Sequence, residues 1–187
     1  MKNKETVINF NEIKFETERL IIRRIKKEDW QDYNEIMGNE LTMNFLGRAN
    51  TLEEVKGYVE NQSNQDYNNL SGNYAIVLKE ENKVIGQFGL EINTKHSKAS
   101  ISYLFNSKYW NKGYAIECAK FMVDYAFNEI NLNRIEADCV KENEASLKIF
   151  KKLNMNFEGE FKESRYNKRL NKFFDVVYYA ILRSDYK

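Results

Sequence analysis

At 187 residues, with 42% hydrophobic and 30% charged side chains, the chain has the length and composition of one folded domain with its own core, not of a disordered segment. A formal net charge of +1 excludes the broad basic footprint of a nucleic-acid binder, and no stretch approaches the length of a membrane span. Two cysteines and one histidine exclude a disulfide scaffold and a zinc centre, so Cys118 and Cys139 are expected as small core residues.

In chain order, Met1 to Asn11 mixes charges with single apolar residues and carries no targeting pattern, which makes the cytoplasm the expected location. Phe15 to Ile25, rich in isoleucine, reads as a first strand. Lys27-Glu-Asp29 opens a helix in which Trp30, Tyr33, Ile36 and Met37 share a face, with Gly38 suited to the left-handed position that ends it. Thr51-Leu-Glu-Glu54 is a capping box, and Leu52, Val55, Tyr58 and Val59 carry a second helix to about Tyr67. Tyr74 to Leu78 and Lys83 to Ile92 form a hairpin around the polar turn Lys79 to Asn82, and Ala99 to Phe105 extends it antiparallel.

The stretch Tyr109-Trp-Asn-Lys-Gly-Tyr-Ala115 joins that strand to an amphipathic helix containing Cys118, Phe121, Met122, Tyr125 and Ala126. A helix beginning at Lys112 to Tyr114 aims unpaired N–H groups and its positive dipole end at the loop, and Gly113 lets an anion approach the backbone. Such a junction is either a phosphate or pyrophosphate site or a purely structural cap. It is neither the three-glycine dinucleotide fingerprint nor a nucleotide P-loop. Arg134 to Val140 is a further strand, so strand, helix and strand form a crossover with parallel neighbours. Asn143 caps a helix with Ile149, Phe150 and Leu153, and Asn154 is its left-handed stop. Phe157 to Tyr166 and Phe173 to Leu182 make a last hairpin. The expected architecture is one α/β (α+β) domain, with a mixed, mostly antiparallel twisted sheet, helices on both faces and a central β-α-β unit.

Three segments together carry a resemblance: Glu16-Thr-Glu-Arg-Leu-Ile-Ile-Arg23, Tyr109 to Ala115, and Glu142-Asn-Glu-Ala-Ser-Leu-Lys-Ile-Phe-Lys-Lys-Leu-Asn154. Their order and content resemble the GNAT acetyltransferases, and within them the branch of the ribosomal-protein N-terminal acetyltransferases, over nearly the whole chain. The resemblance implies acetyl-CoA as co-substrate and no metal. It places the pyrophosphate on main-chain N–H groups of Asn111, Lys112, Gly113, Tyr114 and Ala115, with Trp110 among the cofactor-binding residues, although its large indole also suits a packing anchor. It places the pantetheine arm on backbone groups of Leu104 and Phe105, one of which would polarise the thioester carbonyl. Asn143 and Ser146 match positions that line the arm and the sulfur, although both also suit a capping role, and Phe150 of the same motif is counted with them as cofactor-binding. Members of this branch often form homodimers, and the sequence itself does not fix the oligomeric state.

Two departures bear on chemistry. The family motif as often written has a tyrosine at Phe150 to protonate the leaving thiolate, which leaves Ser146 as the available donor. Relatives often carry a glutamate base near Ala99 or Ser100, where this chain has serine. Glu91 is taken as the catalytic candidate, with Glu136, Asp138 and His96 as substitutes. Without a strong base an α-amine, near pKa ~7.7 to 8.0, is a better nucleophile at neutral pH than a lysine near ~10.4. The expected acceptor is therefore the N-terminal α-amine of a protein, with an amino acid, polyamine or aminoglycoside as runner-up. A non-catalytic acyl-CoA sensor module is the reading from another class. The basic group Lys162, Arg165, Lys168 and Arg169 is expected as a solvated rim.

Overall fold

The computed structural model describes residues 9–186. Their strands form one eight-stranded sheet in the order β1-β2-β3-β4-β5-β6-β8-β7. The strands are β1 (Lys14–Glu16), β2 (Leu20–Arg24), β3 (Gly72–Leu78), β4 (Lys83–Asn93), β5 (Lys98–Phe105), β6 (Arg134–Val140), β7 (Asn156–Asn167) and β8 (Lys172–Leu182). Every pairing is antiparallel except β5 with β6, which the crossover helix requires to be parallel.

Helices α1 (Trp30–Met37) and α2 (Leu52–Ser63) cover one face, and α3 (Tyr114–Asn128) and α4 (Glu144–Lys152) cover the other. Strand alternation divides the core accordingly. Tyr74, Ile76 and Leu78 of β3 join Cys118, Met122, Phe127 and Phe150 in the larger cluster. Ala75 and Val77, pointing the opposite way, join Tyr33, Ile36, Val55 and Val59. With both faces covered, β3 is a continuous apolar run instead of an alternating one.

Local chemistry places most boundaries. Thr51 accepts from the Glu54 amide at 3.3 Å while Glu54 accepts from the Thr51 amide at 2.8 Å, the reciprocal cap that starts α2. Asn154 takes φ +56° and stops α4. Three expectations are corrected. Phe15 to Ile25 is not one strand but a tight hairpin, turned where the Thr17 amide bonds the Leu20 carbonyl and the Thr17 hydroxyl accepts from the Leu20 amide. Gly38 is not left-handed, with φ −80°; a side chain there would meet the Asn34 carbonyl oxygen at 2.5 Å, so close approach explains the glycine. Helix α2 ends at Ser63, short of Tyr67.

Candidate active site

The β5–α3 connection begins at Asn106, fully buried, whose amide bonds the Ile85 carbonyl at 2.9 Å and whose side chain accepts from the Lys108 amide. A single turn, Ser107–Tyr109, then brings Trp110 back over the strand end, where its indole N–H donates to the Phe105 carbonyl at 2.7 Å. Asn111 and Gly113 both take left-handed backbone, at φ +60° and +84°, on either side of Lys112. Gly113 caps α3 without offering a side chain, and the first helical bond runs from the Glu117 amide to the Gly113 carbonyl. The six consecutive amides from Asn111 to Ile116 thus have no acceptor among the described hydrogen bonds. Such a concave run of N–H groups at the positive end of a helix is an anion cradle.

A contact that sequence reading missed holds this cradle to the sheet. Glu117 accepts from the Thr17 hydroxyl at 2.6 Å, the Arg19 amide at 2.9 Å and the Arg19 Nε at 2.7 Å, and Arg19 Nη1 donates to the Lys112 carbonyl at 3.0 Å. The Arg19 guanidinium also lies 4.5 Å from the Tyr114 ring centroid. Burial acts to raise the Glu117 pKa, but the Thr17 and Arg19 hydrogen bonds and the guanidinium charge outweigh it and hold it below its ordinary value. The signal for it stood in the opening segment, where Thr17 and Arg19 looked like strand residues.

Below the cradle the sheet forks. β5 and β6 pair only at Lys98↔Arg134, Ala99↔Ile135 and Ser100↔Glu136, after which β5 follows β4 to Phe105 and β6 follows β8 to Val140. The Asn106–Ile85 bond fixes which amides face the gap. Even-numbered residues of β5 turn their N–H and C=O toward β4, and odd-numbered ones turn them away from it. Ile101, Tyr103 and Phe105 therefore present backbone groups to the fork. Leu104 does not: its backbone faces Gln87, and its side chain packs toward α1 and α2.

On the α3/α4 side of the fork stands Ser146, almost fully buried in the first turn of α4, its amide held at 3.2 Å by the Asn143 side chain. Phe150 lies one turn further, wholly inside the core with its ring 5.2 Å from Tyr179. On the opposite side of the sheet lies an open cleft of about 620 Å³, floored by Gly89–Glu91 and Ser100–Ser102 and walled by residues 65–69 and 71–73, with Asp138 across the fork.

The carboxylates that line this cleft, and Glu136 behind Ser100, differ in what binds them. Glu136 is held by Lys98 at 2.7 Å and Arg134 at 2.9 Å and receives the Ser100 hydroxyl at 3.3 Å. Burial works to raise its pKa, yet the two cations win and lower it. Asp138 is paired with Arg165. Glu91, opposite Ser100 in the ladder, is exposed and has no ion-pair partner among the described residues. His96 lies in the β4–β5 turn, away from the cleft. Lys162 and Arg169 of the basic group are likewise ion-paired, to Asp175 and Glu40. Both cysteines are buried and unbridged. Among the described residues, no cluster of three or more His, Cys, Asp or Glu is placed to hold a metal ion, and no helix is long and apolar enough to cross a membrane.

Comparison with known proteins supplies the remaining finding. Residues 19–156 match the Acetyltransferase (GNAT) domain family. The uncharacterized N-acetyltransferase YnaD of Bacillus subtilis is 33% identical over 171 residues, covering 91% of this chain and 97% of the relative. The solved structure of a GNAT-family acetyltransferase from Bacillus anthracis superposes with a TM-score of 0.81 at 31% identity, covering 92% of this chain and 99% of that one. A shorter match, 37% identical over 71 residues and 38% of either chain, is to the spermidine N(1)-acetyltransferase of Escherichia coli.

Proposed function

The chain belongs to the GNAT acetyltransferase family, and from this premise we propose that it carries an acetyl group from acetyl-CoA to the N-terminal α-amine of a protein. The cradle and the fork fit the coenzyme. Unpaired amides from Asn111 to Ile116 match a pyrophosphate in charge and shape, and Gly113 keeps the backbone approachable. Acetyl-CoA supplies a thioester-activated acetyl group. The fork-facing backbone of Tyr103 and Phe105 would hold the arm, with one N–H as oxyanion donor. The Ser146 hydroxyl would donate a hydrogen bond to the sulfur while keeping its proton, and a thiolate of conjugate-acid pKa near ~8.5 leaves readily enough for that help to suffice. Holding both reactants in one cleft supplies much of the acceleration.

The choice of acceptor rests on Glu136. It is the carboxylate at the last paired rung of the fork, and Lys98 and Arg134 hold it ionised and weakly basic. Such a site favours an amine that is already partly neutral. Glu91, without a cationic partner on the cleft rim, is the residue through which the amine's proton would leave.

A second reading, a small polycationic amine, draws on the carboxylates Asp66, Glu91 and Asp138 around the cleft and on the local likeness to the spermidine enzyme. Acetyl-CoA consumption against a panel of peptides, spermidine and lysine side chains separates these. The proposal expects peptides with free N-termini to turn over fastest. Faster spermidine turnover would replace it with the second reading, and tight coenzyme binding without turnover on any acceptor would favour a sensor module.

A further inference from the structure

The missing tyrosine at position 150 leaves the departing sulfur with a serine, and a lone serine hydroxyl is a poorly directed donor. Its hydrogen rotates, and in a first helical turn it is drawn back toward the backbone. The structure offers a second hydroxyl. Among the described residues, three buried side-chain polar atoms have no hydrogen-bond partner, and one is the Tyr103 hydroxyl. A buried unpaired O–H costs stability and calls for a reason.

Its position suggests the reason. Continuing the β5–β6 register three steps past Ser100↔Glu136 sets Tyr103 opposite Cys139, in the stretch where the strands have parted. Both side chains join the core cluster on the α3/α4 face. The Ser146 hydroxyl is the polar neighbour of the phenol there, though the pair does not reach hydrogen-bond geometry, and burial keeps the phenol protonated by pushing its pKa up. The phenol oxygen is shut off from solvent, which leaves the Ser146 hydroxyl as the polar group through which it can act.

Resting on the acetyltransferase reading, we propose that Tyr103 is a positioning residue for thiolate departure: with the thioester in the fork its hydroxyl closes to hydrogen-bond distance of Ser146 Oγ, donates to it and so turns the serine O–H toward the sulfur. Chained hydroxyls polarise one another, which strengthens the serine's bond to sulfur as negative charge grows. During transfer the amine nitrogen–carbon bond forms and the carbon–sulfur bond breaks, its electron pair passing to sulfur. The proton lost by nitrogen goes to solvent, and sulfur takes one up from solvent after it leaves. Both hydroxyls keep their protons throughout.

Tyr103→Phe removes only the oxygen. The expected result is kcat lower by about tenfold, the value of one hydrogen bond. Acetyl-CoA affinity and KM stay unchanged, and the melting temperature does not fall. In a Ser146→Ala background, adding Tyr103→Phe is expected to cost nothing more, because the tyrosine acts through the serine. Unchanged kcat in Tyr103→Phe, a loss confined to KM, or two losses that multiply would each overturn the proposal. If the wild-type chain turns over no acceptor, the acetyltransferase reading fails separately. The variant ratio is then read from hydrolysis of bound acetyl-CoA, which expels the same thiolate, and equal rates there also overturn the proposal.

Discussion

Gly113 shows how much one missing side chain does at this site. At φ +84° an L side chain is strained, and a Cβ would also come within 3.3 Å of Arg19 Nη2. Gly113→Ala is expected to weaken CoA binding modestly. Gly113→Glu adds a negative charge facing the pyrophosphate and should raise the CoA Kd at least about tenfold beyond the alanine variant, by isothermal titration. Glu117 makes a second test. Its folded pKa is depressed, so the stability it contributes is present above the unfolded value near ~4.3 and is lost as pH falls through the folded value. Glu117→Gln should therefore be less stable at pH 7 and lose less than the wild type between neutral pH and acid, in urea melts. Gly113, Asn143 and Asn154 were legible in the sequence because caps and left-handed residues are decided within a few positions. The Thr17 and Arg19 contacts to Glu117 were not, since they join residues about a hundred positions apart that no local pattern links.

Elements were legible where a cap or a polar turn marks them, and less so where tertiary contacts choose. The β1–β2 turn contains neither glycine, proline nor asparagine, so isoleucine-rich sequence on its far side made the hairpin read as one strand. The fork is likewise a property of pairing. β5 and β6 both alternate apolar with polar residues along their length, and only the sheet shows that they share three rungs. Leu104 and Phe105 were expected to serve together, but adjacent strand amides point to opposite sides, and the Asn106–Ile85 bond assigns the fork to the odd residues. Helix α4 depends on its cap because it brings Ser146 to the fork from its first turn. Asn143→Ala should cost about 1 kcal/mol, a fall of roughly 2–4 °C in a chain of this size, by calorimetry. Turnover should fall with it, since Ser146 takes its amide bond from that side chain.

For the molecule as a whole, one sheet separates two surfaces: α3 and α4 carry the amide cradle and Ser146, the side proposed for the coenzyme, and the cleft opens on the other. The sequence showed the two-sided architecture, because an apolar run such as β3 needs cover on both faces. It could not show which carboxylates would be neutralised, and that pairing is what bears on the acceptor. At pH 7 roughly a tenth of an α-amine with pKa near 8 is neutral, against about one in 2,500 for a lysine near 10.4. If no enzyme base titrates, kcat/KM for the acceptor should rise about tenfold per pH unit and level off at the acceptor's own pKa. A peptide with a free N-terminus and a blocked peptide bearing one lysine should then break at different pH values, near 8 and above 10, at saturating acetyl-CoA. A common break for both, near neutrality, would mean that a group of the enzyme titrates instead. Glu91→Gln would identify that group if the common break moved with it, and the preference for α-amines would then have to come from the shape of the cleft and not from its charge.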